Sequence, residues 1–510
     1  MNNETQDNKF AANKSPEPLK LEGLEDNADR RDVKYKERYI GWVNEIAASR
    51  DTWIKRNQYF YSQDYSYLRF LISPDLRILD LGCGTGELLT KLAPRCGVGL
   101  DISEEMVRIA RGKFPDEKYT FISGDLEEPD TIARLLKLGP FDVIVMSETL
   151  SYLSDCVKTL NSLHDLFHRE TRLVISQYSH LWEPILNLGT NLGLRSPAPP
   201  GLNWLGGTDI ENMMYLSDFD LVKKEWRQLL PRFLFGIGWF ANKILAPLPV
   251  LRLLCLRNYY VARSLRHSGL KKPSATVVIP CRNEKGNVEP AVRRLPKFCD
   301  DQEILFVEGN SSDGSWQEIL RVQKAYPELN IQAIQQPKIG KGDAVHTAFA
   351  NAKGEVLIIL DGDLTVPPED LPIFYMMIAS GKGEFINGSR FVYRMEDEAM
   401  RFLNYWGNRA FSMIFSYLLN QTFTDTLCGT KVMTKEAYLE KRRNRDYFGD
   451  FDPFGDFDFI FGAAKQNHKI VEIPIRYAAR TYGETQISRF AHGWLLLKMV
   501  IFAYRKLKAI

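Results

Sequence analysis

The sequence predicts an α/β fold in two tandem domains, and three observations carry that prediction. At 510 residues the chain exceeds what one hydrophobic core holds. Two successive series of short apolar or β-branched runs alternate with helical patterns. Between the series, the polar and basic stretch Arg266 to Ser274 is punctuated by Gly and Pro and reads as a linker. The expected layout is a mobile polar tail over 1–34, a first domain over 35–265, the linker over 266–274, a second domain over 275–490 and an amphipathic helix over 491–510.

Composition sets the class. Hydrophobic content of 45% and charged content of 25% are those of globular protein. A formal charge of +2 argues against wholesale nucleic-acid binding. The seven cysteines (Cys83, Cys96, Cys156, Cys255, Cys281, Cys299 and Cys428) are scattered and odd in number, without a CxxC pair. They imply neither a zinc site nor a disulfide framework, and reduced thiols in a cytoplasmic setting are expected. The N-terminus lacks the apolar core of a signal peptide.

The first series places strands at Arg77–Leu81, Gly97–Asp101, Phe141–Met146 and Arg172–Ser176. Its first strand runs into Asp80-Leu81-Gly82-Cys83-Gly84-Thr85-Gly86-Glu87 and then a helical run. Glycines there let the backbone turn sharply from strand to helix and approach a ligand closely. Asp101 closes the next strand, where a carboxylate can accept both ribose hydroxyls of an adenosine. A dinucleotide would need a helix N-terminus free of nearby acid for its pyrophosphate. Asp80, just ahead of the glycines, suits instead a cationic amino group.

This segment resembles the class I S-adenosylmethionine-dependent methyltransferases, with their Rossmann-like fold and D-x-G-x-G-x-G motif, over roughly residues 35–265. The resemblance implies that Asp80, Gly82, Gly84 and Gly86 hold the methionyl end, Asp101 the ribose and Asp125 the adenine edge. A plain turn residue is the alternative for Asp125. Glu148, after the fourth strand, would face the methyl acceptor or else be a solvated helix-start acid. Further on, Phe233 to Leu245 is apolar but interrupted by Lys243 and followed by Pro247 and Pro249, a poor spanning helix. It caps the acceptor site, dips into a membrane interface, or packs on the protein itself.

The second series places strands at Ala275–Pro280, Glu303–Val307 and Val356–Leu360. Asp361-Gly362-Asp363 follows the last of these. Two carboxylates around a small residue at a strand end can hold a hard divalent cation, which neutralises a departing diphosphate. Pro280-Cys281-Arg282-Asn283-Glu284, Glu308 to Gly314 and Lys341-Gly342-Asp343 precede it in order. Together they resemble family 2 glycosyltransferases of the GT-A fold, of the dolichol-phosphate mannosyltransferase type, over roughly residues 273–490.

The resemblance implies a nucleotide-diphosphate sugar donor, a lipid-phosphate or glycan acceptor, inversion, and Mg²⁺ or Mn²⁺ on Asp361 and Asp363. Pro280, Arg282, Glu284 and Glu308 would line the nucleoside pocket, with Lys341 near the phosphates. Arg390 would meet phosphate as a bidentate donor, or else form a structural ion pair. Asp456 would be the base for a hydroxyl acceptor; a phosphate acceptor needs none. Arg480 and Gln486 lie in an acceptor-side stretch. Glu308-Gly309 stands where the family has Asp-Asp, Thr365 where it has Gln, and Gln486 where it has Lys. Gln486 to Phe490 also resembles a motif of processive polysaccharide synthases. The apolar, basic-ended tail Trp494 to Lys508 is expected to lie at a membrane surface, or to pack on the core or on a second copy. The chain is therefore read as a bifunctional cytoplasmic enzyme, peripheral to the inner face of a membrane. A first domain that binds S-adenosylmethionine without turnover, and a processive synthase, are the other readings.

Overall fold

The computed structural model describes residues 25–197, 202–393, 402–443, 455–480, 482 and 489–508. The first seven strands are β1 (Arg77–Leu81), β2 (Cys96–Asp101), β3 (Tyr119–Ser123), β4 (Val143–Ser147), β5 (Arg172–Tyr178), β6 (Phe219–Arg227) and β7 (Arg257–Ser264). They form one sheet in the order β3-β2-β1-β4-β5-β7-β6. Its first five strands are parallel, and β7 pairs antiparallel with both β5 and β6. The β4 interior is apolar throughout, and that of β1 is apolar but for Asp80, as expected of strands covered on both faces. Order reverses between β1 and β4, so the loops leaving these strands open a crevice at their carboxyl ends.

The second sheet repeats the plan. Its strands are β8 (Ala275–Cys281), β9 (Gln302–Glu308), β10 (Asn330–Gln335), β11 (Val356–Ile359), β12 (Phe385–Ser389), β13 (Lys431–Thr434) and β14 (Ile470–Pro474). Their order is β10-β9-β8-β11-β13-β12-β14, with β13 antiparallel to both its neighbours. The reversal here falls between β8 and β11, the two strands that end at Cys281 and just before Asp361. Two separate switch points thus lie beneath the two motif clusters that the sequence singled out.

Two helices precede the first sheet, Glu25–Arg56 and Gln58–Leu71. The first begins inside the stretch that the sequence reads as a mobile tail. Its inner stripe of Tyr39, Trp42, Val43, Ile46 and Ala47, beyond that stretch, packs on Met106 and Ile109. Ser103 caps the helix Glu104–Lys113 by accepting the Met106 amide, and its hydroxyl reaches Asn44 at 2.5 Å.

The junction between the sheets is buried and ionic rather than a loose linker. Arg172 at the start of β5 donates to Glu384 (2.7 Å) and to the Asn467 carbonyl (2.9 Å). Lys469 meets Asp220 at 2.7 Å, and Arg263 donates to the Gly381 carbonyl at 2.8 Å. Lys508 pairs with Glu225 at 2.7 Å, with Asn420 adding a 2.6 Å bond to the same carboxylate. Burial pushes Glu225 and Glu384 up, but Lys508 and Arg227 on the first, and Arg172 on the second, hold each down at about 2. The last helix, Arg489–Leu507, buries Met499, Ala503 and Leu507 against the core and leaves Leu497 and Ile501 exposed.

Candidate active sites

The first crevice is built by β1, β2 and β4 and roofed by the two N-terminal helices. Asp80, next to last in β1, is 1% exposed, and neither carboxylate oxygen has a hydrogen-bond partner. Burial pushes its carboxyl up to about 7, and Asp101 adds to the rise. A buried carboxylate without a donor is costly, so the site is short of one cation. Gly82, Gly84 and Gly86 all have positive φ. At Gly82 a Cβ would sit 2.3 Å from the Thr149 hydroxyl, so that turn admits glycine alone. Asp101 fixes the loop: its carboxylate accepts from the Gly84 amide (2.7 Å) and the Ser103 amide (2.9 Å).

Glu148 lines the same crevice in a left-handed conformation, φ +65°. Such strain in a non-glycine residue is held only where the surroundings enforce it. Here the enforcer is Arg257, fully buried, which donates to Glu148 at 2.6 Å and also reaches Asp64, Ser147 and Ser176. Asp125 lies elsewhere. It pairs with Lys36 at 2.7 Å and is not among the residues that line the crevice. Sequence reasoning passed over Tyr39, Trp42, Arg50, Tyr61 and Asp64, which line it from the N-terminal helices. The spacing of Tyr39, Trp42, Ile46 and Arg50 along one helix face was the available signal.

In the second site, Asp361 and Asp363 follow β11 and each carries a cation. Lys341 reaches Asp361 at 2.6 Å, and Arg480 reaches Asp363 at 2.5 Å. Burial pushes Asp361 up, but Lys341 foremost, then Lys431 and Arg390, hold it below the usual carboxylate range. Asp363 also accepts from the Thr365 amide and hydroxyl at 3.1 and 2.9 Å. Thr365, standing where the resemblance expects Gln, therefore orients the second carboxylate. Gly429 lies against Asp361 so closely that a Cβ would fall 1.8 Å from its Oδ2. Across the switch point, Glu284 is buried, hydrogen-bonded by Asn287 at 2.7 Å, and pushed up to about 7 by burial. Gly362 packs on the Pro280 carbonyl, where a Cβ would lie 2.6 Å away.

The remaining predicted residues scatter. Arg282 is exposed at the end of β8. Glu308, buried at the end of β9, accepts the Ser311 amide at 2.5 Å and so shapes its own loop. Arg390 is bidentate to Asp425 at 2.6 and 2.8 Å, the structural ion pair rather than a free guanidinium. Asp458 pairs with Lys441 at 2.5 Å and faces His346 at 3.5 Å. Asp456 falls in the helix Gly455–Lys465, and its side chain and Gln486 lie outside the described residues. Among the described residues no three His, Cys, Asp or Glu side chains converge as a metal cage.

Known proteins bear on both halves. A dolichyl-phosphate hexose transferase of Haloferax volcanii is 28% identical over 228 residues, covering 44% of this chain and 91% of its own. A dolichol-phosphate mannosyltransferase of Pyrococcus furiosus is 26% identical over 238 residues, covering 46% of this chain and 63% of its own. Among solved structures, a mannosyltransferase of Pyrobaculum calidifontis in complex with GDP-Man and Mn²⁺ is 17% identical with a TM-score of 0.33, covering 46% of this chain and 64% of that one. Residues 72–193 match the sequence model of a methyltransferase domain, and residues 276–440 that of glycosyl transferase family 2. The chain is thus an enzyme that joins a methyltransferase domain to a glycosyl transferase family 2 domain.

Proposed function

We propose that the second domain transfers a hexose from a nucleotide-diphosphate sugar, with inversion, to a lipid phosphate or a glycan. The first domain then methylates the same or a neighbouring product with S-adenosylmethionine. The observation that carries the first half is the Asp361–Asp363 pair at the β8/β11 switch point, each acid already facing a cation. The names of the two dolichyl- and dolichol-phosphate relatives favour a lipid phosphate as acceptor.

Both carboxylates are hard oxygen donors at a strand end and suit Mg²⁺ or Mn²⁺. That ion, when bound, supplies positive charge to the departing diphosphate. Lys341 and Arg480 sit on the same two carboxylates, so each can turn to the phosphates once a metal takes its place. The acceptor oxygen bonds to the anomeric carbon as the sugar–phosphate bond breaks and the nucleoside diphosphate leaves. A phosphate acceptor arrives ionised, so no proton has to be removed; a hydroxyl acceptor would call on Asp456.

In the first domain, the two unpartnered oxygens of buried Asp80 fit the ammonium group of S-adenosylmethionine, which when bound supplies the methyl group. The glycine turn admits the close approach of its methionyl end, and Asp101 stands at the ribose position. Glu148 is tied to Arg257, and this favours a second reading in which the domain binds S-adenosylmethionine without turnover. Calorimetric titration beside a methyl-transfer assay on the glycosylated product separates the two: binding without transfer selects the second reading. Hydrolysis of a panel of nucleotide sugars with Mg²⁺ or Mn²⁺, repeated with Asp361→Ala, tests the hexose half. Activity indifferent to that substitution would remove it. The setting we propose is cytoplasmic, peripheral to the inner face of a membrane.

A further inference from the structure

Residues 228–256 make an excursion between β6 and β7 that inverts the usual rule of a water-facing surface. Its polar Asn242 is buried, bonded to the Leu230 amide and carbonyl at 2.9 and 2.8 Å and to the Tyr59 hydroxyl at 3.2 Å. Its apolar side chains point out. Phe233, Leu234, Phe235, Ile237, Trp239 and Phe240 are all about half or more exposed, and Phe235 wholly so. Leu234 and Phe235 take positive φ (47° and 55°) at the tip, a strained conformation for bulky residues. Farther along, Val250, Leu253 and Leu254 are exposed too.

The patch widens through contacts on both sides. The Trp182 indole donates to the Leu254 carbonyl at 2.8 Å, which brings up the helix Glu183–Asn191 with Ile185 and Leu188 exposed. On the other side the Tyr417 hydroxyl donates to the Pro247 carbonyl, and Arg252 lies 5.6 Å from the Tyr417 ring. Tyr417 belongs to the helix Phe402–Leu419 of the second domain, whose stripe through Met413 to Trp406 is exposed. The apolar face therefore crosses the domain junction. It far exceeds the scattered single hydrophobics of an ordinary water-facing surface.

Its charge is one-sided. Residues 228–256 and 402–419 contain no Asp or Glu, and their only charges are Arg232, Lys243, Arg252 and Arg409. Glu183 is the sole acid of the helix beside them. Apolar side chains set among cations, on a surface without a segment long enough to cross a bilayer among the described residues, match the chemistry of an anionic lipid interface. We propose that this face, centred on residues 233–254 and continued by Trp406 and Met413, seats both domains together on an anionic bilayer. The inference rests on the membrane-peripheral part of the functional reading, and it names the surface.

The test is sedimentation of the full chain with vesicles of phosphatidylcholine, alone or mixed with phosphatidylglycerol. The unmodified protein is expected to pellet with the mixed vesicles, and high salt to weaken that binding. The double variant Phe235→Asp/Trp239→Asp, and separately Val250→Asp, should lose binding by about tenfold or more, while Tyr215→Asp on the helix Gly207–Leu216 changes nothing. Nucleotide-sugar hydrolysis, which needs no lipid, should persist in every variant and reports that each has folded. A protein that stays in the supernatant, or a double variant that still pellets, overturns the proposal. So does light scattering that shows a dimer dispersed by the double variant, without vesicle binding. Vesicle binding without any sugar hydrolysis would instead sink the catalytic reading and leave this one standing.

Discussion

The two crevices solve opposite electrostatic problems with the same residue type at the same kind of place. In the first, Asp80 is buried with no donor on either oxygen and its carboxyl is pushed up to about 7. In the second, Asp361 and Asp363 each hold a cation of the chain's own, and Asp361 stays below the usual range. In the function proposed above, Asp80 takes its positive partner with the ligand. On the same proposal, the second keeps Lys341 and Arg480 on its acids until metal and diphosphate take their places. A carboxylate at a switch point thus says little by itself; what faces it decides the ligand.

The largest break in this comparison should come from Asp361→Ala. With half of the metal pair gone, hexose transfer is expected to fall by ~10²–10³-fold, measured as nucleoside diphosphate release with Mn²⁺. Asp80→Asn should weaken S-adenosylmethionine binding by about 10²-fold, since it removes the buried partner of a charged group, typically ~2–5 kcal/mol. Calorimetric titration reads that loss. An unchanged affinity would mean that the ammonium lies elsewhere.

A third prediction turns on proton linkage. Burial, with Asp101, pushes the Asp80 carboxyl up to about 7, so a cationic ligand that pairs with the ionised carboxylate binds with release of a proton below that pH. Affinity for S-adenosylmethionine should climb by up to tenfold per pH unit toward 7 and level off above it. Asp80→Asn should flatten the profile. The smallest effect concerns the empty protein. A carboxyl raised from its ordinary value contributes stability at low pH that is lost as pH rises toward about 7. At pH 8, Asp80→Asn should therefore raise the melting temperature, by on the order of 1 kcal/mol of stability. Asp361→Asn should lower it, because it removes the carboxylate charge that Lys341 meets at 2.6 Å. Melts of the two variants side by side check the opposed signs.

Strand-end acids and glycine turns were legible in the sequence because they are local: Asp80, Gly82 and Asp101 act within one strand-turn-strand unit. The strands β5, β8 and β9 were legible as well, since their apolar or β-branched runs are uninterrupted. β3 and β10 were not, because half-exposed runs such as Tyr119–Ser123 carry too few apolar residues to stand out. What escaped at two of the candidate residues is a distant partner. Asp125 meets Lys36 across 89 positions, and Arg390 meets Asp425 across 35. No spacing rule announces a partner so far along the chain. The helix that carries Arg50 was hidden for a different reason: its charged outer face made its start look like a polar tail.

The ionic junction between the sheets makes the halves mutually obligate. Glu225 and Glu384, both held down at about 2, each meet a cation across the boundary, Lys508 in one case and Arg172 in the other, with Arg227 of the same strand adding to Glu225. Cutting the chain within 266–274 would bare one acid and one cation in each fragment, Glu225 and Arg172 in the first and Glu384 and Lys508 in the second, so neither fragment inherits a finished surface. Fusion here is then more than two genes read in succession. Each domain supplies part of the other's interior, and evolution can no longer separate or exchange one without rebuilding its neighbour.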